Sequence, residues 1–245
     1  MMKRLFGTII FLAILGGLGW WGYNAVVNKQ ININHWFVGG MMRGVDVSSY
    51  QGEIDFWTIR KQGIAFAYIK ATEGSTHVDT EFQENWQNAA EAQMPAGAYH
   101  FFSYEASGTE QAENFIKTVG DSLDGRLIPA VDMELSKEQK TNPPEKSEVV
   151  RSLRAFVASI EEKYGVKPLI YATKDYFEQY LKDDFKDYPR WVRSVYWPVF
   201  IEVGGDWAVW QYDDHGKLEG YHGTEEFIDM NVINSEFGLE KLKMK

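Results

Sequence analysis

From Arg43 to about Tyr196, short apolar runs alternate with amphipathic stretches, and beyond that point the alternation stops. The apolar runs Gly44–Val47, Ile64–Ala71, Ala96–Phe102, Leu127–Leu135 and Pro168–Ala172 predict strands. The stretches Asp55–Gln62, Thr80–Ala92, Thr109–Val119, Pro144–Tyr164 and Lys174–Tyr180 predict the helices that follow them. Strand then helix, five times in succession, calls for parallel strands joined by crossover helices. Ser107-Gly108-Thr109-Glu110 supplies a helix-start signal, and Pro143-Pro144 opens the longest helix. Two further strands are expected at Trp191–Tyr196 and Trp207–Tyr212, in a tail rich in Gly, Asp and aromatic residues that suits strands joined by tight turns.

Length sharpens this reading. A barrel of eight complete βα units typically takes about 250 residues. Arg43 to Phe237 supplies 195, and the last third leaves no room for helices. The expected fold is therefore α/β: an irregular TIM-like barrel of five βα units followed by three strands. The alternative is an open doubly wound sheet, but no Gly-rich nucleotide fingerprint follows the first strand.

The N-terminus is of another kind. Leu5 to Val27 is 23 residues without a charge, preceded by Lys3 and Arg4. At about 1.5 Å per residue a helix of that length spans roughly 35 Å, enough to cross a bilayer core. Trp20, Trp21 and Tyr23 near its far end suit a membrane interface. A cleaved signal peptide is the alternative, with Leu5–Leu15 as its apolar core and Gly17-Leu18-Gly19 as a processing site, although the apolar run continues well past that point. Either reading places the remainder outside the cytoplasm, because the basic end stays inside. The expected division is an N-terminal transmembrane signal anchor at 1–28, a linker at 29–42 and one domain at 43–245.

Charge and composition narrow the function. The chain has 25 Lys and Arg against 35 Asp and Glu. Its first 29 residues contribute three basic residues and no acid, so residues 30–245 hold 22 basic against 35 acidic side chains. Such a domain is a poor partner for nucleic-acid phosphates. The absence of cysteine rules out disulfides, thiolate metal sites and a Cys nucleophile.

Candidate chemistry lies at strand ends. In Leu127–Leu135, Asp132 and Glu134 fall on one face of a strand, about 6.5 Å apart along it, after an apolar approach. A carboxylate pair at the C-terminal end of a barrel strand suits glycoside cleavage, one acid held protonated and the other ionised. Ordinary ion pairing is the alternative. Asp46, in Gly44-Val45-Asp46-Val47-Ser48, either joins that pair or caps the turn into the first helix. Lys70, in Ile69-Lys70-Ala71-Thr72-Glu73, either balances the acids or forms a structural salt bridge. The five histidines show no metal-ligand spacing, and Asp213-Asp214-His215 is read as a solvated turn. Neither cofactor nor metal is expected, since carboxylates can carry the proton transfers.

Taken together, Asp46-Val47-Ser48 with Gln51-Gly52, Lys70-Ala71-Thr72-Glu73-Gly74, Gly97-Ala98-Tyr99-His100-Phe101, Pro129 with Asp132-Met133-Glu134, and Trp210-Gln211-Tyr212 resemble glycoside hydrolase family 25, the Chalaropsis-type lysozymes. The stretches run in family order from about Arg43 to Asn234. The resemblance implies N-acetylmuramidase activity on the glycan strands of peptidoglycan, on a barrel of five βα units plus three strands. It implies Glu134 as general acid, Asp132 as its partner, Asp46 as the acid of the first strand and Asp229 as the acid near the last; a turn role is the alternative for Asp229. It also implies Tyr171 as a cleft-lining tyrosine and raises Trp210. Tyr99 and Trp191 are further candidates for sugar contact, with core packing as the alternative. Val192 and Arg193 depart from the small residues usual after the tryptophan, and the arginine is expected to alter the cleft rim. The rival functions are a non-catalytic peptidoglycan-binding protein and a hydrolase of another N-acetylated glycan such as chitin. A monomer is expected.

Overall fold

The computed structural model describes residues 2–244, with the side chains of residues 2–11 and 13 outside that description. In chain order it contains α1 (Met2–Val27), a 3₁₀ turn (Ile33–Trp36), β1 (Met42–Val47), α2 (Phe56–Lys61), β2 (Ile64–Glu73), β3 (His77–Val78), α3 (Phe82–Glu91), β4 (Ala96–Phe101) and α4 (Gly108–Val119). There follow β5 (Ala130–Asp132), α5 (Lys137–Thr141), α6 (Lys146–Tyr164), β6 (Leu169–Thr173), α7 (Lys174–Tyr176, continued by a π turn over Phe177–Leu181), β7 (Arg190–Arg193), α8 (Val199–Val203), β8 (Val209–Gly216) and β9 (Ile228–Ile233).

Eight of these strands close a barrel in the order β1-β2-β4-β5-β6-β7-β8-β9, with β9 returning to β1 and β3 added outside β2. Neighbours are parallel from β1 round to β8, and β9 runs antiparallel to both of its neighbours. Five βα units and three closing strands are thus present, as expected. One detail needs correction: the last third does hold a helix, the five-residue α8 between β7 and β8.

Local chemistry explains the element ends. Ser107 caps α4 in a reciprocal box with Glu110, and Gly165 closes α6 in the left-handed conformation. β5 is much shorter than the apolar run that announces it. The backbone of Leu127 bonds Ala96 and that of Ile128 bonds Leu242 before the ladder begins, and Pro129 offers no N–H.

Two apolar layers follow from the strand alternation. Outward residues such as Val45, Ile69, Val131 and Trp210 pack against the helices. Inward residues Phe66, Tyr68, Leu169, Trp191, Val209 and Ile233 fill the barrel below the cleft. Glycine is required where those rings need space: a Cβ at Gly44 would lie 2.4 Å from the Phe66 ring, and one at Gly97 2.3 Å from Tyr68. The motif histidine His100 points outward, buried between Thr72 Oγ1 (2.7 Å) and Gln111 Oε1 (3.0 Å), and supports the fold.

The N-terminal helix is followed by a segment fastened along β7 and β8. Asn34 is buried and donates to the carbonyls of Ser194 (3.0 Å) and Tyr212 (2.9 Å). Among the described residues no helix is long and apolar enough to cross a membrane. Much of the expected anchor, Leu5–Phe11 and Ala13, has side chains outside that description.

Candidate active site

At the C-terminal end of the parallel strands a cleft of about 490 Å³ is lined by Asp46, Lys70, Tyr99, Asp132, Glu134, Tyr171, Trp191, Gln211 and Asp229, among others. Every one of these except Glu134 is an inward position of a barrel strand, and Glu134 follows the end of β5 with the same alternation. Of the sequence-predicted site residues, Trp210 alone lies elsewhere. It is 1% exposed and its indole donates to the Ser194 carbonyl at 2.9 Å, because its neighbours Val209 and Gln211 take the inward positions.

The floor of the cleft is a hydrogen-bonded frame around Asp46. Its Oδ2 accepts from Gln211 Nε2 at 3.0 Å and from Asn231 Nδ2 at 2.7 Å. Each amide is oriented by an aromatic donor: Tyr171 Oη donates to Gln211 Oε1 at 2.8 Å, and Trp191 Nε1 donates to Asn231 Oδ1 at 2.8 Å. Reversing either amide would set its NH₂ against the aromatic donor, so all the donors point at the carboxylate. Trp191 and Tyr171 also pack edge to face, 5.0 Å between centroids. Nothing in residue type marks Gln211 and Asn231 in the sequence. The signal that finds them is strand alternation, which sets Gln211 between two outward aromatics and Asn231 two residues after Asp229.

The four acids perturb one another. Burial raises the carboxyl pKa of Asp46, and the amides of Asn231 and Gln211 pull it back. Burial pushes Asp132 well above the usual carboxylate range, reinforced by the charges of Glu134 and Asp46. Asp132 Oδ1 is buried with no hydrogen-bond partner among the described residues. Burial also raises Glu134, while Arg193 and Lys140 oppose the shift. Asp229 is pushed well up by burial and then by Asp46. Such a group holds protons at a pH where exposed carboxyls are ionised.

Cations frame the acids. Lys70 pairs with Glu73 at 2.7 Å and sits over the Phe101 ring. Arg193 donates to Asp214 Oδ2 at 2.8 Å, and Lys29 reaches the same oxygen at 2.6 Å. Asp213, Asp214 and His215 bring possible ligand atoms within 4.8 Å of one another. Lys29 and Arg193 pair with Asp214, and His35 hydrogen-bonds Asp213 at 2.8 Å, so the group lies within β8 with its carboxylates engaged and not in the solvated turn expected from the sequence.

A closed α/β barrel with a carboxyl-lined cleft at the C-terminal end of its strands has the form of a glycosidase. The model of the glycosyl hydrolases family 25 matches residues 45–221, and the chain belongs to that family. Asp229 lies beyond the matched range, so its place in the site rests on the β1–β9 pairing. A family 25 glycosyl hydrolase from Bacillus anthracis superposes with a TM-score of 0.75 at 41% identity, covering 83% of this chain and 94% of that one. YegX of Escherichia coli (strain K12) is 32% identical over 219 residues, 87% of this chain and 76% of the relative. Lysozyme M1 of Streptomyces globisporus is 31% identical over 205 residues, 79% of this chain and 68% of the relative.

Proposed function

We propose that this cleft hydrolyses the β-1,4 bond between N-acetylmuramic acid and N-acetylglucosamine, with Glu134 as the proton donor. The chain is a glycosidase by family, a peptidoglycan hydrolase of the lysozyme type, and the relative named lysozyme supports that substrate. Glu134, with its raised pKa, protonates the leaving oxygen as positive charge develops at the anomeric carbon. The single observation that supports the pairing with Asp132 is that its carboxyl and that of Glu134 line the same cleft, where the charge of Glu134 adds to burial in raising Asp132. Asp132 then either orients the substrate's 2-acetamido group for internal attack, after which a water opens the intermediate and returns a proton to Glu134, or accepts the proton of a water that attacks directly. Asp46 and Asp229 form the floor, Lys70 tempers the charge, and Tyr99, Tyr171 and Trp191 shape the wall. Both carboxyls are present, which weighs against a binding-only protein.

The test is dye release from purified peptidoglycan, with chitin oligomers in parallel. Glu134→Gln is expected to lower turnover about 10²–10⁴-fold while leaving the fold intact. An activated aryl glycoside, whose leaving group needs no proton, shrinks that defect. Near wild-type lysis by a folded Glu134→Gln protein would overturn the assignment. Proton NMR of the first-formed anomer distinguishes internal attack from direct attack by water.

We further propose that Leu5–Val27 anchors the enzyme with its cleft outside the cytoplasm, so that the chain divides into an anchor at 1–28, a connecting segment at 29–42 that is braced against the barrel rather than free as a linker, and a catalytic domain at 43–245. Its support is the uncharged run after Lys3 and Arg4 and the exposed Trp20, Trp21 and Tyr23 near its end. Membrane fractionation with N-terminal sequencing tests it: a mature end near Trp20 would defeat the anchor.

A further inference from the structure

The domain surface carries an aromatic flank that the hydrolytic cleft does not use. Trp36 is 75% exposed, Ile201 65% and Phe200 50%, with Phe37 and Trp197 less so beside them. They come from two short segments, the 3₁₀ turn at Ile33–Trp36 with its cap Phe37, and the connection bearing α8 (Val199–Val203). Phe37 and Phe200 join the two edge to face, 5.2 Å between centroids. Scattered exposed apolar residues are ordinary, but large aromatic and branched side chains gathered on one face mark a contact surface.

This flank is held rigidly, and it is held close to the N-terminal helix. Asn34 Nδ2 donates to the carbonyls of Ser194 and Tyr212, and Asn32 Nδ2 donates to the latter at 3.1 Å. Lys29 pairs with Asp214, and Ala25, in the last turns of α1, is buried. The residues that link the helix to the flank are therefore fastened to the β7–β8 side of the barrel. Trp36 is nine residues beyond Val27, so the two lie within about 30 Å even if the chain were fully extended. Trp20, Trp21 and Tyr23, exposed on the helix, precede the braced segment by a few residues. Trp, Phe and Ile with adjoining Tyr196 form the composition that partitions into the headgroup region of a bilayer.

We propose that the flank formed by Trp36, Phe37, Trp197, Phe200 and Ile201 seats in the interface of the bilayer that receives the N-terminal helix. This rests on the anchor reading above. Seating holds the β7–β8 side of the barrel against the membrane, with the adjoining cleft rim beside it. The enzyme then acts on glycan lying close to the membrane surface rather than on strands deeper in the wall.

The chain has no cysteine, so single labels can be placed in the full-length protein. Trp21→Cys, Trp36→Cys, Ile201→Cys and Glu84→Cys, the last on α3 across the barrel, are each labelled with a polarity-sensitive dye. The proteins are reconstituted into vesicles of phosphatidylethanolamine and phosphatidylglycerol with and without spin-labelled lipid. Hydrolysis of soluble glycan fragments at the unlabelled level confirms the fold. The expected result is a blue shift and lipid quenching at residues 36 and 201, comparable to residue 21, with residue 84 unchanged. Quenching at 21 with water-like emission at 36 and 201 overturns the seat and leaves the anchor standing. No quenching at 21 defeats the anchor reading and the seat with it. Blue shifts at 36 and 201 without lipid quenching, together with a doubled mass in detergent, assign the flank to a second copy and overturn the proposal.

Discussion

Asp46 and Asp229 face each other across the antiparallel ladder between β1 and β9, which brings two carboxyl groups together on the cleft floor. Burial raises both, and the charge of Asp46 raises Asp229 further. The same pairing that closes the barrel thus concentrates acid where a glycosidase needs it. Function here opposes stability, because a raised folded pKa makes the cluster most favourable when protonated.

The pH dependence of that opposition is testable. A carboxyl whose folded pKa lies above its unfolded value of about 4 contributes its stability below that value. The contribution is lost as pH rises through the folded pKa. Asp229→Asn keeps the shape and removes one ionisation. It is expected to stabilise the protein at neutral pH by about 1 kcal/mol, or roughly 2–4 °C in Tm. The gain should vanish at acid pH, where the native pair is already protonated. Thermal scans at both pH values check this. Turnover is expected to fall, by as much as in Asp132→Asn, because Asp229 lines the cleft.

Tyr171→Phe tests the amide frame. Removing one hydroxyl leaves Gln211 Oε1 without its donor and frees the amide to rotate away from Asp46. An unsatisfied buried acceptor costs about 1–3 kcal/mol. Turnover is expected to fall about tenfold with a smaller change in KM, an effect of roughly 1.4 kcal/mol on the barrier. Steady-state kinetics against pH should show the Asp46 limb displaced upward. An unchanged profile would mean that the tyrosine only lines the wall.

The outer shell has its own pH response. Burial lowers the His100 pKa to about 4, so the imidazole is neutral in the fold. The unfolded chain binds that proton near pH 6.5, and stability is therefore lost as pH falls from about 6.5 to about 4. The full effect is on the order of 3 kcal/mol. Urea midpoints across this range, compared with those of His100→Gln, measure it; the variant should show a flatter dependence. This loss runs opposite to the gain from the carboxyl cluster.

The sequence displays the acids more readily than the groups that orient them. Asp132 and Glu134 stand out because an apolar run ends in two carboxyls spaced for one face, and both line the cleft. Five βα units are visible because strand and helix periodicities differ. The closing strand β9 and the short α8 are hidden, since six residues of strand and one turn of helix carry too little periodicity in a turn-rich tail. Gln211 and Asn231 are neutral amides whose importance arises only when Tyr171, Trp191 and Asp46 converge from three other strands. Trp210 shows the converse: bulk near a strand end suggests a sugar platform, but the register turns it outward.

The barrel interior offers a last prediction that depends on packing alone. Phe66 and Tyr68 fill the space below the acids only because β1 and β4 present no side chain at Gly44 and Gly97. A methyl group at Gly97 would stand 2.3 Å from the Tyr68 ring, far inside contact distance. Tyr68 cannot withdraw freely, since it packs on Trp191 at 4.9 Å and its hydroxyl reaches the Ile128 carbonyl at 3.3 Å. Gly97→Ala is therefore expected to destabilise the protein by about 1–3 kcal/mol, the usual range for overpacking. The strain should reach the site as well, because displacing Tyr68 pushes on Trp191 and hence on Asn231, a donor to Asp46. Lower Tm and reduced turnover should both recover in a Gly97→Ala, Tyr68→Phe double variant if the hydroxyl's fixed position prevents relaxation. If the double variant is no better than the single one, the clash is with the ring itself, and a smaller residue at position 68 should restore both.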